Sequence, residues 1–157
     1  MRSLKYGAVG PQHRFPDIRA VHMARMTGVI FSDLGLASSF MSLDWVQRAL
    51  KQSLGFAPFP ATLNIRPKAA EDAESWRRMR IESAGVPLTP VGSGFCAARL
   101  YAVEILGETG AGSIAGAILI PEVKDYPSDK IEIVAPVRLK DHFGVHDGDA
   151  LTLEFLN

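Results

Sequence analysis

From Met26 onward the apolar positions fall into short runs whose period shifts between that of a strand and that of a helix. "MTGVIFS" (26–32) reads as a strand, and "DLGLASSF" (33–40) follows as a small-residue loop. In "SLDWVQRALKQSLG" (42–55) Val46, Leu50 and Leu54 recur every four residues, the spacing of one helix face. Ser42 suits the N-cap, Asp44 the first turn and Gly55 the stop. "ATLNIR" (61–66) is the next strand. "AAEDAESWRRMRIESAG" (69–85) predicts a second helix, acidic at its start, basic further on and ended by Gly85. Beyond it the chain is nearly all β: "GFCAARLYAVEIL" (94–106), a turn at "ETGAGS", then "IAGAILIPE" (114–122) and "KIEIVAPV" (130–137). "RLKDHFG" (138–144) makes one or two helical turns, "HDGD" (146–149) a tight turn, and "ALTLEFL" (150–156) the last strand.

Six strands carrying two or three short helices, without βαβ alternation, predict a mainly β protein. A small closed barrel with helical insertions fits better than a parallel sheet. Residues 1–25 are polar, basic and broken by Gly and Pro, so they are read as a flexible or peripheral N-terminal extension to a single domain at 26–157. Met23 and Met26 offer alternative translation starts to Met1.

Composition removes several classes of function. The chain of 157 residues has 17 basic and 17 acidic side chains, which leaves no electrostatic footprint for nucleic acid. "WRRMR" is flanked by glutamates and reads as a solvated helix face. One cysteine, Cys96, excludes an internal disulfide and a cysteine zinc cluster, and the four histidines lack metalloprotease spacing. No apolar run reaches membrane-spanning length and the N-terminus has no signal-peptide core, so a cytoplasmic location without membrane contact is expected.

There is no Walker A stretch, no GxGxxG and no GxSxG elbow. What remains is a set of candidate features at strand ends: Asp33 to Ser39, the pair Thr62 and Asn64 in "PFPATLNIRP", "YPSDKIEIVAPVRLK", and "HDGD". Alternation turns Thr62 and Asn64 to one face of their strand. They are either a satisfied polar edge or two neutral oxygen ligands for a hard cation. Glu132, between Ile131 and Ile133, reads by pattern alone as a solvated residue on a polar strand face.

Taken in order, "GVIFSDLGLASSFMS", "LGFAPFPATLNI", "GFCAARLYAVEI" and "AILIPEVKDYPSDKIEIVAPVRLKDHFGVHDGD" resemble the CTP-dependent riboflavin kinases, from about Thr27 to Phe155. The resemblance implies a six-stranded cradle-loop (RIFT-type) barrel. It also implies transfer of the γ-phosphate of CTP to the ribityl 5′-hydroxyl of riboflavin, giving FMN, with Mg2+ as cofactor. By that resemblance Asp33, Leu34, Gly35, Leu36, Ala37 and Ser38 form the nucleotide loop, and Val137, Arg138, Leu139 and Lys140 a second nucleotide-contacting segment. Thr62 and Asn64 match the magnesium ligands. Glu132 matches a flavin-contacting glutamate and is the candidate catalytic residue, and Lys124 falls where the family has a flavin-contacting threonine.

The loop departs from the family pattern: Gly-Leu-Gly-Glu-Gly is here Asp33-Leu34-Gly35-Leu36-Ala37. Glycine in such a loop permits close backbone approach to phosphate, whereas Asp33 brings negative charge beside it. The alternative reading is therefore a catalytically impaired flavin- or nucleotide-binding module acting as a sensor or regulator. A DNA-binding cradle-loop barrel is disfavoured by the neutral charge. The expected partners are small-molecule substrates, and the expected state is a monomer.

Overall fold

The computed structural model describes residues 24–33, 37–89, 97–108 and 112–156. Its strands are β1 (Arg25–Phe31), β2 (Leu63–Pro67), β3 (Val86–Leu88), β4 (Ala98–Gly107), β5 (Ser113–Pro121), β6 (Ile131–Val134) and β7 (Ala150–Phe155). Its helices are α1 (Ala37–Met41), α2 (Asp44–Leu54), α3 (Ala70–Glu82) and α4 (Leu139–Phe143). Antiparallel pairing runs β4-β5-β6-β2-β1-β7, and β7 pairs back to β4, which closes a six-stranded barrel. The sequence pattern locates all six of these strands. β3 is an addition outside the ring, paired only to β4.

Alternation along the strands sends one face inward. Ile30, Ile65, Val103, Ile118, Ile131 and Leu153 bring all six barrel strands into one core, to which α3 adds Trp76 and Met79. Trp76 stacks on Phe155 and meets Tyr101 edge-on. A second core lies on the outer face of β4, β5 and β6, where Leu100, Ala117, Leu119 and Val134 are covered by Met41 of α1 and by Val46 and Leu50 of α2. Both faces of β6 are thereby covered, and all four of its residues are buried.

Local chemistry sets the helix ends, with some differences from the sequence reading. Residues 37–40, read as part of a loop, form α1 together with Met41. The N-cap of α2 is Leu43, extended at φ −69° and ψ 137°, one residue after the expected Ser42, and it makes no side-chain cap bond. Gly55 ends α2 in the left-handed conformation at φ 84°, as expected. α3 stops at Ser83, two residues before Gly85, whose positive φ serves the turn into β3. At its start, Asp72 accepts from the Ala69 amide at 3.0 Å and from the Thr27 amide at 2.8 Å, which ties α3 to β1. The barrel also takes in Ala24 and Arg25, residues the sequence texture places with the extension. The Phe155 amide donates to the Ala24 carbonyl at 2.9 Å, and Arg25 pairs with Glu154. Among the described residues no helix is long and apolar enough to cross a membrane.

Candidate functional site

The site begins as a row across the sheet. Strand register places Phe31 opposite Asn64, Asn64 opposite Glu132, and Glu132 opposite Leu119. The neighbours Ile131 and Ile133 point into the barrel core, so Glu132 lies on the outer face, beside the edge of the α1–α2 cover. A cavity of about 560 Å³ opens there, within the range of small-molecule sites. Its apolar wall includes Phe31, Phe40, Leu119 and Pro121, and its polar groups converge from β2, β6, α4 and three loops.

Glu132 is the buried acid of the described residues, at 6% exposure. The pattern-based reading of a solvated face is thus corrected: the second core and the 123–130 segment cover that face. Thr62 donates its hydroxyl to Glu132 Oε1 at 3.0 Å, and Tyr126 donates its phenol to Oε2. Burial, and then the hydrogen bond and charge of Glu132, push the Tyr126 phenol far above its ordinary value, so it remains a donor across the working pH range. Asn64 Oδ1 is buried without a hydrogen-bond partner, a state that costs free energy unless a ligand satisfies it.

Charge at the rim is arranged in pairs. Lys130 pairs with Asp33, and its ammonium lies 5.6 Å from the Tyr126 ring centroid. Lys140 Nζ lies 2.9 Å from Asp147 Oδ1 and 3.4 Å from Ser32 Oγ, and Ser32 donates to Asp147 Oδ2 at 2.6 Å. The Ser32 hydroxyl and then Lys140 hold the Asp147 carboxyl below its usual range.

Thr62, Asn64, Glu132, Asp33 and Lys140 all line this cavity. Val137, Arg138 and Leu139 line an adjoining cavity of about 150 Å³ that shares Thr62 and Lys140 with the first. Arg138 is engaged with Asp141 at 2.7 Å, and Leu139 is buried in the core. Ala37 and Ser38 lie in α1, while Leu34, Gly35 and Leu36 fall outside the described residues. Lys124 sits exposed on a turn and does not line the cavity; Val123 and Tyr126 on either side of it do. Sequence reasoning missed Tyr126, Lys130 and Ser32 as site residues. Tyr126 and Lys130 lie within the "DYPSDKIEI" segment that carries the family resemblance, and that was the available signal.

Comparison with known proteins agrees with this geometry. A family model for CTP-dependent riboflavin kinase, described as "Domain of unknown function DUF120", matches residues 30–155. The riboflavin kinase of Pyrobaculum arsenaticum is 36% identical over 132 residues, covering 84% of this chain and 60% of its own length. That of Methanosarcina barkeri is 30% identical over 142 residues, covering 88% of this chain and 58% of its own. That of Aeropyrum pernix is 34% identical over 135 residues, covering 83% of this chain and 94% of its own. The chain thus spans about 60% of the length of the Pyrobaculum relative and nearly all of the Aeropyrum one. With its closed six-stranded cradle-loop barrel, the chain belongs to the CTP-dependent riboflavin kinase family.

Proposed function

We propose that this chain is a riboflavin kinase that transfers the γ-phosphate of CTP to the ribityl 5′-hydroxyl of riboflavin, giving FMN and CDP. The barrel domain, which takes in Ala24 and Arg25, carries the activity, and residues 1–23 are peripheral to it. The observation that carries the reading is the buried Glu132, held by two hydroxyl donors, next to an amide oxygen with no hydrogen-bond partner in the same cavity.

The donor set suits magnesium. Asn64 Oδ1 lacks a partner, and Thr62 spends its proton on Glu132, which leaves its oxygen lone pairs available. Among the described residues no cluster of three or more His, Cys, Asp or Glu offers a cage for a metal. Magnesium does not need one, because it keeps waters and takes phosphate oxygens alongside one or two protein ligands. Thr62 and Asn64 would hold the ion, which when bound neutralises charge on the donor phosphates.

The remaining chemistry belongs to the chain. Glu132 orients the 5′-hydroxyl by accepting its proton in a hydrogen bond. The hydroxyl oxygen forms a bond to the γ-phosphorus as the bond from that phosphorus to the β–γ bridging oxygen breaks. The electron pair leaves on CDP. A loose transition state makes early deprotonation of little value, so orientation is the main role of Glu132 and proton acceptance follows bond formation. The apolar wall of Phe31, Phe40 and Leu119 suits a flat aromatic ring system. Asp33, an awkward neighbour for phosphate, has its charge matched by Lys130.

The test is incubation of purified protein with riboflavin, magnesium and each of the four nucleoside triphosphates, with FMN resolved by chromatography. FMN formed with CTP is the expected result. Riboflavin binding without FMN from any donor would sink the kinase reading and leave a flavin-binding module.

A further inference from the structure

We propose that Lys130 is a phosphate-binding residue of this site, held ready by Asp33 and released to the terminal phosphates of the nucleotide donor. The inference rests on the kinase reading above and adds to it a residue that neither the motif comparison nor the strand pattern assigns.

Lys130 lies two residues before Glu132, and both side chains line the cavity. In extended chain that spacing is about 7 Å, with both side chains on one face. A phosphate placed between the acceptor hydroxyl at Glu132 and the oxygens of Thr62 and Asn64 therefore falls within reach of a lysine stem. Among the described residues the lining charges are two acids, Asp33 and Glu132, and two cations, Lys130 and Lys140. They sum to zero, whereas a nucleoside triphosphate is strongly anionic. A magnesium ion would offset only part of that charge, so entry favours a cation that can change partner.

Lys130 is suited to that exchange. Its pair with Asp33 is partly exposed, the side chains being 23% and 36% accessible, so separating it costs little. An ammonium on a flexible four-carbon stem can turn from a carboxylate to a phosphate without backbone movement. Asp33 sits at the start of the loop that follows β1, and it stands where the family loop has glycine. In the free protein its carboxylate occupies the cation that the phosphates need. Lys140 is more firmly held, by both Asp147 and Ser32.

A purely structural ion pair predicts something different: loss of Lys130 would loosen the loop without distinguishing the phosphates of a ligand from its nucleoside. Calorimetric titration of the wild type, Lys130→Gln, Lys130→Arg and Asp33→Asn with CTP, cytidine and riboflavin separates the two. Lys130→Gln is expected to weaken CTP about tenfold, the loss of one charge-assisted contact, and to leave cytidine and riboflavin unchanged. Lys130→Arg should stay within about threefold of wild type. Asp33→Asn should bind CTP several-fold more tightly, because it removes both a competitor and a repulsion. Melting curves check that the variants are folded. Asp33→Asn gives an independent reading should Lys130→Gln fold poorly, and no gain of affinity there counts against the exchange.

CTP binding by Lys130→Gln equal to wild type overturns the role of Lys130 and leaves the kinase reading intact. A wild type that binds another triphosphate instead, with that affinity lost in Lys130→Gln, overturns CTP as donor and supports Lys130. A wild type that binds riboflavin and no triphosphate overturns both.

Discussion

Glu132 should be a residue that the fold would be at least as stable without. It is a carboxylate at 6% exposure, satisfied by hydroxyl groups of Thr62 and Tyr126. Replacing buried ionic groups with well-packed apolar ones of similar volume is often neutral or stabilising by about 1–4 kcal/mol. Glu132→Leu is therefore expected to hold or raise stability by up to about 2 kcal/mol while abolishing FMN formation. Tyr126→Phe alone should do the opposite. It leaves the buried carboxylate short of one donor, which costs about 1.5–3 kcal/mol, or about 3–10 °C in Tm for a chain of this size. In the Glu132→Leu background the same tyrosine change should cost close to nothing, because the phenol then faces only cavity solvent. The cycle of two single variants and the double variant, measured by urea unfolding, should give a coupling of about 2 kcal/mol. Equal cost of Tyr126→Phe with Glu or Leu at position 132 would refute the claim that the phenol works through the carboxylate.

Three further outcomes can be checked. Asn64→Leu should keep or slightly raise Tm, since it removes a buried oxygen without a partner, and should cut turnover by a factor of about 100 or more through loss of charge stabilisation; unchanged FMN formation at limiting magnesium would remove Asn64 from the metal site. Asp147 has a folded-state pKa lowered by Ser32 and Lys140, so its stabilising effect is present above the unfolded carboxylate pKa and is lost as pH falls through the folded value. Asp147→Asn should thus be less stable than wild type at pH 7 and converge with it in acid, and unfolding midpoints that stay parallel across pH would contradict this. Gly116→Ala would place a Cβ 2.6 Å from both the Val134 carbonyl and the Ile105 side chain, which should cost about 1–3 kcal/mol by urea unfolding as β5 is pushed from β6.

The parts of the fold legible in the sequence are those where one face of an element is buried and the other is not. β1 and β7 alternate this way and were placed closely. β6 is located as a strand by its pattern, but its outer face could not be read, because the α1–α2 cover buries that face as well as the inner one. Glu132 accordingly looked like a solvated residue by pattern, and only the family resemblance marked it. β3 has three residues and a central proline, so it has no period to detect; an edge position tolerates the missing N–H of Pro87. α1 is five residues long and is held by burial of Met41 against the outer core rather than by any helix signal of its own.

Within the site, the division between legible and hidden residues follows how far apart the partners lie. Thr62 and Asn64 stand out in the sequence as a polar pair flanking Leu63, although pattern alone leaves them open between a polar edge and cation ligands, and Thr62 lies just before β2. The Lys130–Asp33 pair joins residues 97 positions apart, and nothing local distinguishes either from an ordinary surface charge. Tyr126 belongs to the site through a hydrogen bond six residues along the chain, across the turn at 128–129, and it follows a turn in which Asp125 adopts a positive φ of 67°. Such a conformation is uncommon outside glycine and is not signalled by the sequence there.

The two halves of the site are fixed by different means, and this bears on the altered loop. Asn64 and Glu132 are opposed by the register of β2 on β6, and a slip of one residue would turn both to the wrong face. Closure of the barrel pins that register, so the half of the site that carries the proposed acceptor and metal positions is as rigid as the fold. Ser32, Asp33 and Lys130 flank the strands, and side-chain pairing secures them. The departure from the family loop at Asp33 therefore falls on the half that can change how a donor is gripped without disturbing Glu132, Thr62 or Asn64. A chain that had abandoned phosphoryl transfer would be under no pressure to keep a buried carboxylate and a partnerless amide oxygen opposite one another, since each is a cost to stability. On the proposed reading a ligand offsets both costs, and the loop beside them, whose added acid is matched by a lysine, alters how tightly a donor is gripped without removing what receives it.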